Sequence, residues 1–173
     1  TAPGHASIYT GTTPSVHGIV GNEWFSRRLG KEMYCTDDDS VSTLGDGKDK
    51  EGRMSPKNLQ TTTITDELRM ATNFKGKVIG VSIKDRGAIL PAGHFANWAF
   101  WYSKTGAFIS STFYSSALPN WVTEFNQEKR FMPYINKGWD LFKPLATYDE
   151  SLPDDNPYEC KLYNSAAPVF PYN

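Results

Sequence analysis

The sequence predicts an α/β protein, and three observations carry that prediction. A stretch with helical spacing, SPKNLQTTTITDELRMATNFKGK, runs directly into a β-branched one, KVIGVSI, the kind of step from which parallel sheets are built. An aromatic and β-branched segment, NWAFWYSKTGAFISSTFY, divides at SKTG in the manner of a hairpin. Hydrophobic residues make up 39% and aromatic residues 14% of the 173, spread along the whole length, which is enough for one core and argues against disorder.

The chain opens on TAPGHASIYTG, where Pro3 suits a first helical turn and Gly11 a helix end, so Thr1 stands where a helix begins. Residues 30 to 58 are rich in Gly, Asp and Ser without sustained periodicity and read as a long excursion between core elements. After it, Ser55 is expected as an N-cap with Pro56 at the first helical position. Leu59, Ile64, Leu68 and Ala71 then continue one helix that ends before Gly76. The apolar centre of KVIGVSI predicts a buried parallel strand, and Gly106 is placed in the hairpin turn. From about residue 117, LPNWVTEFNQEKRFMPYI predicts one or two short helices, and LPDDNPYECKLYNSAAPVFPYN a proline-punctuated loop that packs over the core.

With 18 basic and 19 acidic residues the formal net charge is −1, which signals no general attraction to nucleic acid or an anionic membrane. No apolar run approaches the length of a membrane span. Cys35 and Cys160 belong to no CxxC pattern, and two readings stand open: a pair of free buried thiols, or a disulfide.

Two constellations can carry chemistry. Backbone N–H groups at a helix N-terminus are unpaired donors reinforced by the helix dipole, so an anion placed over the Thr1 turn meets several partial positive charges. A hydroxyl there is placed to attack phosphorus or sulfur once its pKa is lowered; the plainer alternative is a simple N-cap. A self-activating N-terminal threonine needs a supporting base that nothing in the sequence signals. The second constellation is SIKDRGAILPAGH. Ligands of open α/β sheets bind beyond the carboxyl ends of strands, and alternation sends Lys84 and Arg86 to one side with Asp85 pointing away. Lys offers a mobile point charge and Arg a planar fork, a pairing suited to a phosphoryl dianion; the plainer alternative is a solvated turn. His5, His17 and His94 form no HxxxH pattern, and the latter two are expected to bond backbone around their turns. The acidic positions Asp37, Asp38, Asp39, Asp46 and Asp49 lack EF-hand spacing and read as a solvated loop.

The blocks TAPGH, TGTTP and HGIVGN resemble the signature of the type I phosphodiesterase and nucleotide pyrophosphatase group of the alkaline phosphatase superfamily. SIKDRGAILPAGH and FWYSKTGAFISSTFY resemble the zinc-dependent, threonine-nucleophile alkaline phosphatases of flavobacterial type. The resemblance covers about residues 1 to 26 and 55 to 126. It implies part of a three-layer sandwich, a mostly parallel sheet between helices, with residues 1 to 173 forming a piece of one catalytic domain. In that domain 30–58 is a loop insertion and 117–173 a loop-rich tail.

The resemblance further implies that Thr1 is the nucleophile that becomes phosphorylated, that Asn22 bonds a phosphoryl oxygen, and that Lys84 and Arg86 bind the remaining oxygens of a phosphate monoester. It implies two zinc ions in the complete enzyme, one at the Thr1 oxygen, with Asp and His ligands expected from outside this sequence. Periplasmic or secreted placement is implied by the same likeness. A chain that opens on Thr1 without Met is expected to be part of a longer protein. On its own it is expected to hold no zinc, to be inactive and to self-associate. The alternatives are a nucleotide pyrophosphatase or phosphodiesterase, and a non-catalytic domain that binds an anion or a partner. A threonine at the nucleophile position argues against the sulfatase branch.

Overall fold

The computed structural model describes residues 1–135, 137–162 and 165–172. The chain divides into two compact units, Thr1–Glu128 and Lys129–Asn173. The first unit begins with helix α1 (Ala2–Thr10), which stops on Gly11 at φ 67, and α2 (Pro14–His17), which stops on Gly18 at φ 80. Both glycines occupy the left-handed conformation that ends helices cheaply only without a Cβ. A two-stranded ribbon follows, β1 (Glu23–Ser26) paired antiparallel with β2 (Lys31–Tyr34) so that Glu23 faces Tyr34.

The single helix expected from Ser55 to Gly76 is broken in two. Ser55 does cap, through its side chain to the Lys57 N–H, but the turn it starts is a 3-10 turn, Pro56–Asn58, and Leu59 is extended. Three consecutive threonines, Thr61 to Thr63, interrupt the run, since β-branched hydroxyl residues compete with helix formation. Thr63 then caps α3 (Ile64–Ala71) in a reciprocal box with Asp66.

The centre of the unit is a four-stranded sheet in the order β3–β6–β5–β4, from β3 (Thr43–Leu44), β4 (Ile79–Ser82), β5 (Trp98–Tyr102) and β6 (Phe108–Ser111). Strands β4 and β5 are parallel and joined by α4 (Asp85–Ala92), a βαβ crossover. The expected hairpin is β5–β6, antiparallel, with Gly106 at φ 81 in its turn. The sheet is therefore mixed. Residues 30–58, read as an excursion, supply β2, the edge strand β3 and the 3-10 turns Asp49–Gly52 and Pro56–Asn58.

Helices cover both faces. On one, Ala88 and Ile89 of α4 pack with Ala99, Trp101 and Ile109 of the hairpin. On the other, α5 (Asn120–Glu128) sets Trp121 against Phe100, ring centroids 5.5 Å apart, and Phe125 against Phe108 at 5.8 Å. The far side of α4 carries Leu90, which joins Ala2, Ala6, Ile19 and Leu59 in a second cluster. Small residues on α1 let it lie close on α4, and this contact positions the site.

Strand β4 departs from the expectation of full burial. It is the sheet edge, and Ile79, Val81 and Ile83 are 50%, 59% and 74% exposed. Gly80 faces α4 so closely that a Cβ there would run into the Ala88 carbonyl oxygen. The acidic loop departs too. Asp38 is buried, accepting hydrogen bonds from Ser40, Ser55 and Lys57, whereas Asp39 pairs with Arg53 at 3.1 Å. Burial pushes the Asp38 pKa up, but those bonds outweigh it and hold the carboxyl at about 2. The side chain of Asp49 lies outside the described residues.

The second unit contains α6 (Met132–Ile135), one of the two short helices expected, a 3-10 turn at Leu145–Thr147 and a bridge between Trp139 and Tyr172. The loop expected over the last stretch includes residues 163, 164 and 173, which lie outside the described residues. Both cysteines are free; Cys35 is buried, but Cys160 is exposed rather than buried as the free-thiol reading had it.

Candidate active site

Three of the four residues singled out in the sequence converge. Thr1 is the N-cap of α1, Asn22 lies just before β1, and Arg86 is the second residue of α4. Arg86 Nε donates to Thr1 Oγ1 at 3.0 Å, and Thr1 Oγ1 donates to Asn22 Oδ1 at 3.2 Å. The Ala2 backbone N–H also donates to Asn22 Oδ1, at 2.8 Å. With its carbonyl held in this way, the Asn22 amide turns its NH2 group, which has no partner among the described residues, away from the helix.

The packing of Ala2 and Ala6 against Leu90 brings the N-termini of α1 and α4 together, so the positive ends of two helix dipoles face one place. Pro3 has no N–H, and Gly4 supplies the exposed donor of the first turn. The result is an electropositive corner around one hydroxyl.

Lys84 is exposed, at the N-cap of α4; its carbonyl accepts from the Gly87 and Ala88 N–H groups, and its side chain forms no hydrogen bond or ion pair among the described residues. The expected geometry of Lys84 and Arg86, two residues apart on an extended strand end, is not what places them. Strand β4 ends at Ser82 and the chain turns into α4 at Asp85, so the pair sits across a strand-to-helix junction. Nor does Asp85 point away. Its Oδ1 accepts from the Tyr34 hydroxyl at 3.0 Å and its Oδ2 from the Thr36 hydroxyl.

Tyr34 also accepts from Arg86 Nη1 at 2.7 Å. Tyr34, Thr36 and Asp85 thus join the network around Arg86; sequence reasoning missed Tyr34 and Thr36 because they lie in a stretch read as loop, and set Asp85 aside as pointing away. A cleft of about 660 Å3 adjoins this network, lined by Tyr34, Met54, Lys84, Arg86, Trp101 and Tyr102 among others.

Burial works against the Arg86 charge, but the Tyr34 hydrogen bond and the Asp85 charge outweigh it, so the guanidinium is held more firmly charged than usual. Burial, then the nearby Asp85 carboxylate, pushes the Cys35 thiol up to about 11, which keeps it a neutral core residue. The other histidines serve structure. His17 Nδ1 accepts from the Ile19 N–H at 3.1 Å, which leaves Nε2 to donate to Ser7 Oγ at 3.0 Å. Burial lowers the His17 pKa and keeps the ring neutral. His94 Nε2 donates to the Leu59 carbonyl at 3.0 Å, and its Nδ1 lies 3.3 Å from Asp66 Oδ2. His17 thus bonds backbone in its own turn, as expected, whereas the backbone partner of His94 is the distant Leu59 carbonyl. The Nδ1 of His5 is buried and has no partner among the described residues.

The model of the type I phosphodiesterase / nucleotide pyrophosphatase family matches residues 1–159. The chain belongs to this family. It is 54% identical over 173 residues to alkaline phosphatase PhoV of Synechococcus elongatus, covering 99% of this chain and 31% of the relative. It is 52% identical over 172 residues to a calcium-transporting ATPase of Myroides odoratus, and 47% identical over 173 to alkaline phosphatase PafA of Elizabethkingia meningoseptica.

The crystal structure of PafA superposes on it with a TM-score of 0.96, covering 99% of this chain and 33% of PafA. The chain spans about a third of the length of the relatives it matches. A PafA variant of known structure has a Thr, an Asn, a Lys and an Arg replaced, at successive intervals of 21, 62 and 2 residues. The same intervals separate Thr1, Asn22, Lys84 and Arg86.

Proposed function

We propose that this chain is the nucleophile-bearing part of a phosphate monoesterase that works through a covalent phosphothreonine. The observation that carries the reading is the hydroxyl of Thr1, held between the Arg86 guanidinium at 3.0 Å and the Asn22 amide at 3.2 Å. In the reaction Thr1 Oγ1 bonds to phosphorus, the bond to the leaving alcohol breaks, and the hydroxyl proton is lost as the departing oxygen gains one. Water then attacks the phosphothreonine, restores the hydroxyl and releases phosphate. Arg86, Lys84 and the Asn22 NH2 group are assigned to the three non-bridging oxygens, whose charge they offset in the transition state. The common intervals of the four residues replaced in the PafA variant support the assignment.

The described residues do not by themselves fit a metal centre. Among them no group of three or more His, Cys, Asp or Glu stands together, and Thr1 Oγ1 would be a single ligand. We therefore assign the ligands of the two zinc ions to the longer protein, and an exported location with them. No helix among the described residues is long and apolar enough to cross a membrane.

The family model's description also names phosphodiesterases and pyrophosphatases, and a diesterase is the competing reading. Hydrolysis of p-nitrophenyl phosphate and of its bis-ester, measured in the intact protein with added zinc, tests both. Monoester turnover is expected to exceed diester turnover and to fall by at least about a thousandfold in Thr1→Ala, since the bond-forming oxygen is removed. Turnover that survives in Thr1→Ala rules out the phosphothreonine.

A further inference from the structure

We infer that Tyr34 is a positioning residue for the Arg86 guanidinium, held in that role by Asp85 and Thr36. The inference rests on the proposed role of Arg86 at the phosphoryl group. The contacts form an unbroken chain. Arg86 Nη1 donates to the Tyr34 oxygen at 2.7 Å while Nε of the same planar group donates to Thr1 Oγ1 at 3.0 Å. Two bonds from one rigid fork fix its plane as a single bond cannot.

The direction of each bond is forced. A guanidinium only donates and a carboxylate only accepts, so the one phenol proton goes to Asp85 Oδ1, and the phenol oxygen is left to receive Arg86. Burial, reinforced by the Asp85 charge, raises the Tyr34 pKa and keeps that proton in place. The ring itself is packed against the cluster of Ala2, Ala6 and Leu90, and Asp85 is anchored by the fully buried Thr36.

Tyr34 is also a spacer. Asp85 and Arg86 form no ion pair, and the phenol oxygen lies between them in the chain of bonds. Without it Asp85 Oδ1 loses its donor beside a guanidinium that has lost an acceptor. The two then pair directly, which draws the fork from Thr1 and spends its charge on the protein rather than on phosphate.

The test is a set of kcat/KM measurements on p-nitrophenyl phosphate in the intact, zinc-loaded protein. Tyr34→Phe is expected to lower the value about tenfold when Arg86 is present and to have no further effect in an Arg86→Ala background. Tyr34→Phe/Asp85→Asn is expected to regain most of the loss, because an amide does not capture the cation; a packing role for the phenol predicts no such rescue. An equal loss in both Arg86 backgrounds, no loss from Tyr34→Phe, or no rescue overturns the inference. If Arg86→Ala itself fails to slow the monoester, the assignment of Arg86 falls instead.

Discussion

At Thr1 a single hydroxyl donates to the Asn22 carbonyl oxygen and accepts from the Arg86 guanidinium, and it is the second contact that offsets a charge growing on its oxygen. What separates the two family chemistries is the number of free phosphoryl oxygens. A monoester presents three, a diester two. The Lys84 side chain, exposed and without a bond to the described residues, has no structural duty that its removal would disturb, since the helix-start bonds are made by its backbone carbonyl. Lys84→Ala is therefore expected to slow monoester hydrolysis about a hundredfold and to leave the bis-ester rate nearly unchanged, measured on the same two substrates in the intact protein. Little loss on either substrate would favour the diesterase. The meeting of Thr1, Asn22 and Arg86 was legible because the residue types and their blocks carry the family resemblance. Tyr34 and Thr36 were not, since nothing in MYCTDDD marks a phenol whose partners lie some fifty residues away on α4.

Among the elements, those whose ends carry a glycine or proline signal were readable: α1 with Pro3 and Gly11, and the hairpin with Gly106. The false continuation from Ser55 into α3 shows the limit. Apolar spacing alone spans a break that three threonines impose, and the second cap at Thr63 competes with the first. The cap at Thr63 does more than start a helix. Asp66 accepts from the Thr63 and Phe95 N–H groups and faces His94, so it ties the start of α3 to the loop after α4.

Burial pushes the Asp66 pKa up, but these hydrogen bonds, with His94 foremost, bring it down from 3.8 to about 2. A lowered carboxyl stabilises above its unfolded pKa, and that contribution is lost as pH falls toward 2. The bond to Asp66 raises His94 above its ordinary 6.5 against the effect of burial. A raised imidazole stabilises below about 6.5, and that contribution is lost as pH rises through the folded value. Together the pair is worth most between roughly pH 4 and 6.5. Asp66→Asn is expected to cost about 2 kcal/mol at pH 5 and to flatten both limbs, read from urea midpoints between pH 3 and 8. Parallel pH curves for the two proteins would remove the pair from the account.

For the whole molecule, the α/β class was legible from one helix-to-strand step. The mixed sheet was not, because β3 is two residues inside a polar stretch, and its pairing with β6 is a long-range fact that no local pattern encodes. The same holds for β4. Its apolar run reads as an interior strand, yet in this chain it is an edge, with Ile79, Val81 and Ile83 exposed and one side of its backbone unpaired. An open, apolar edge is a template for another strand. In relatives about three times as long there is chain to spare for covering it, whereas residues 1–173 alone have only one another. Expressed by themselves they are expected to associate at concentrations of about 100 μM, seen by sedimentation velocity, and to return toward monomer when Val81→Lys places a charge on the edge. The same preparation should show no monoester turnover with zinc present, because among the described residues no group of three or more His, Cys, Asp or Glu stands together to hold a metal. Association unchanged by Val81→Lys would move the contact to another surface. Turnover by residues 1–173 alone, abolished by Thr1→Ala, would mean that the corner formed by α1, α4 and Tyr34 is sufficient for the chemistry.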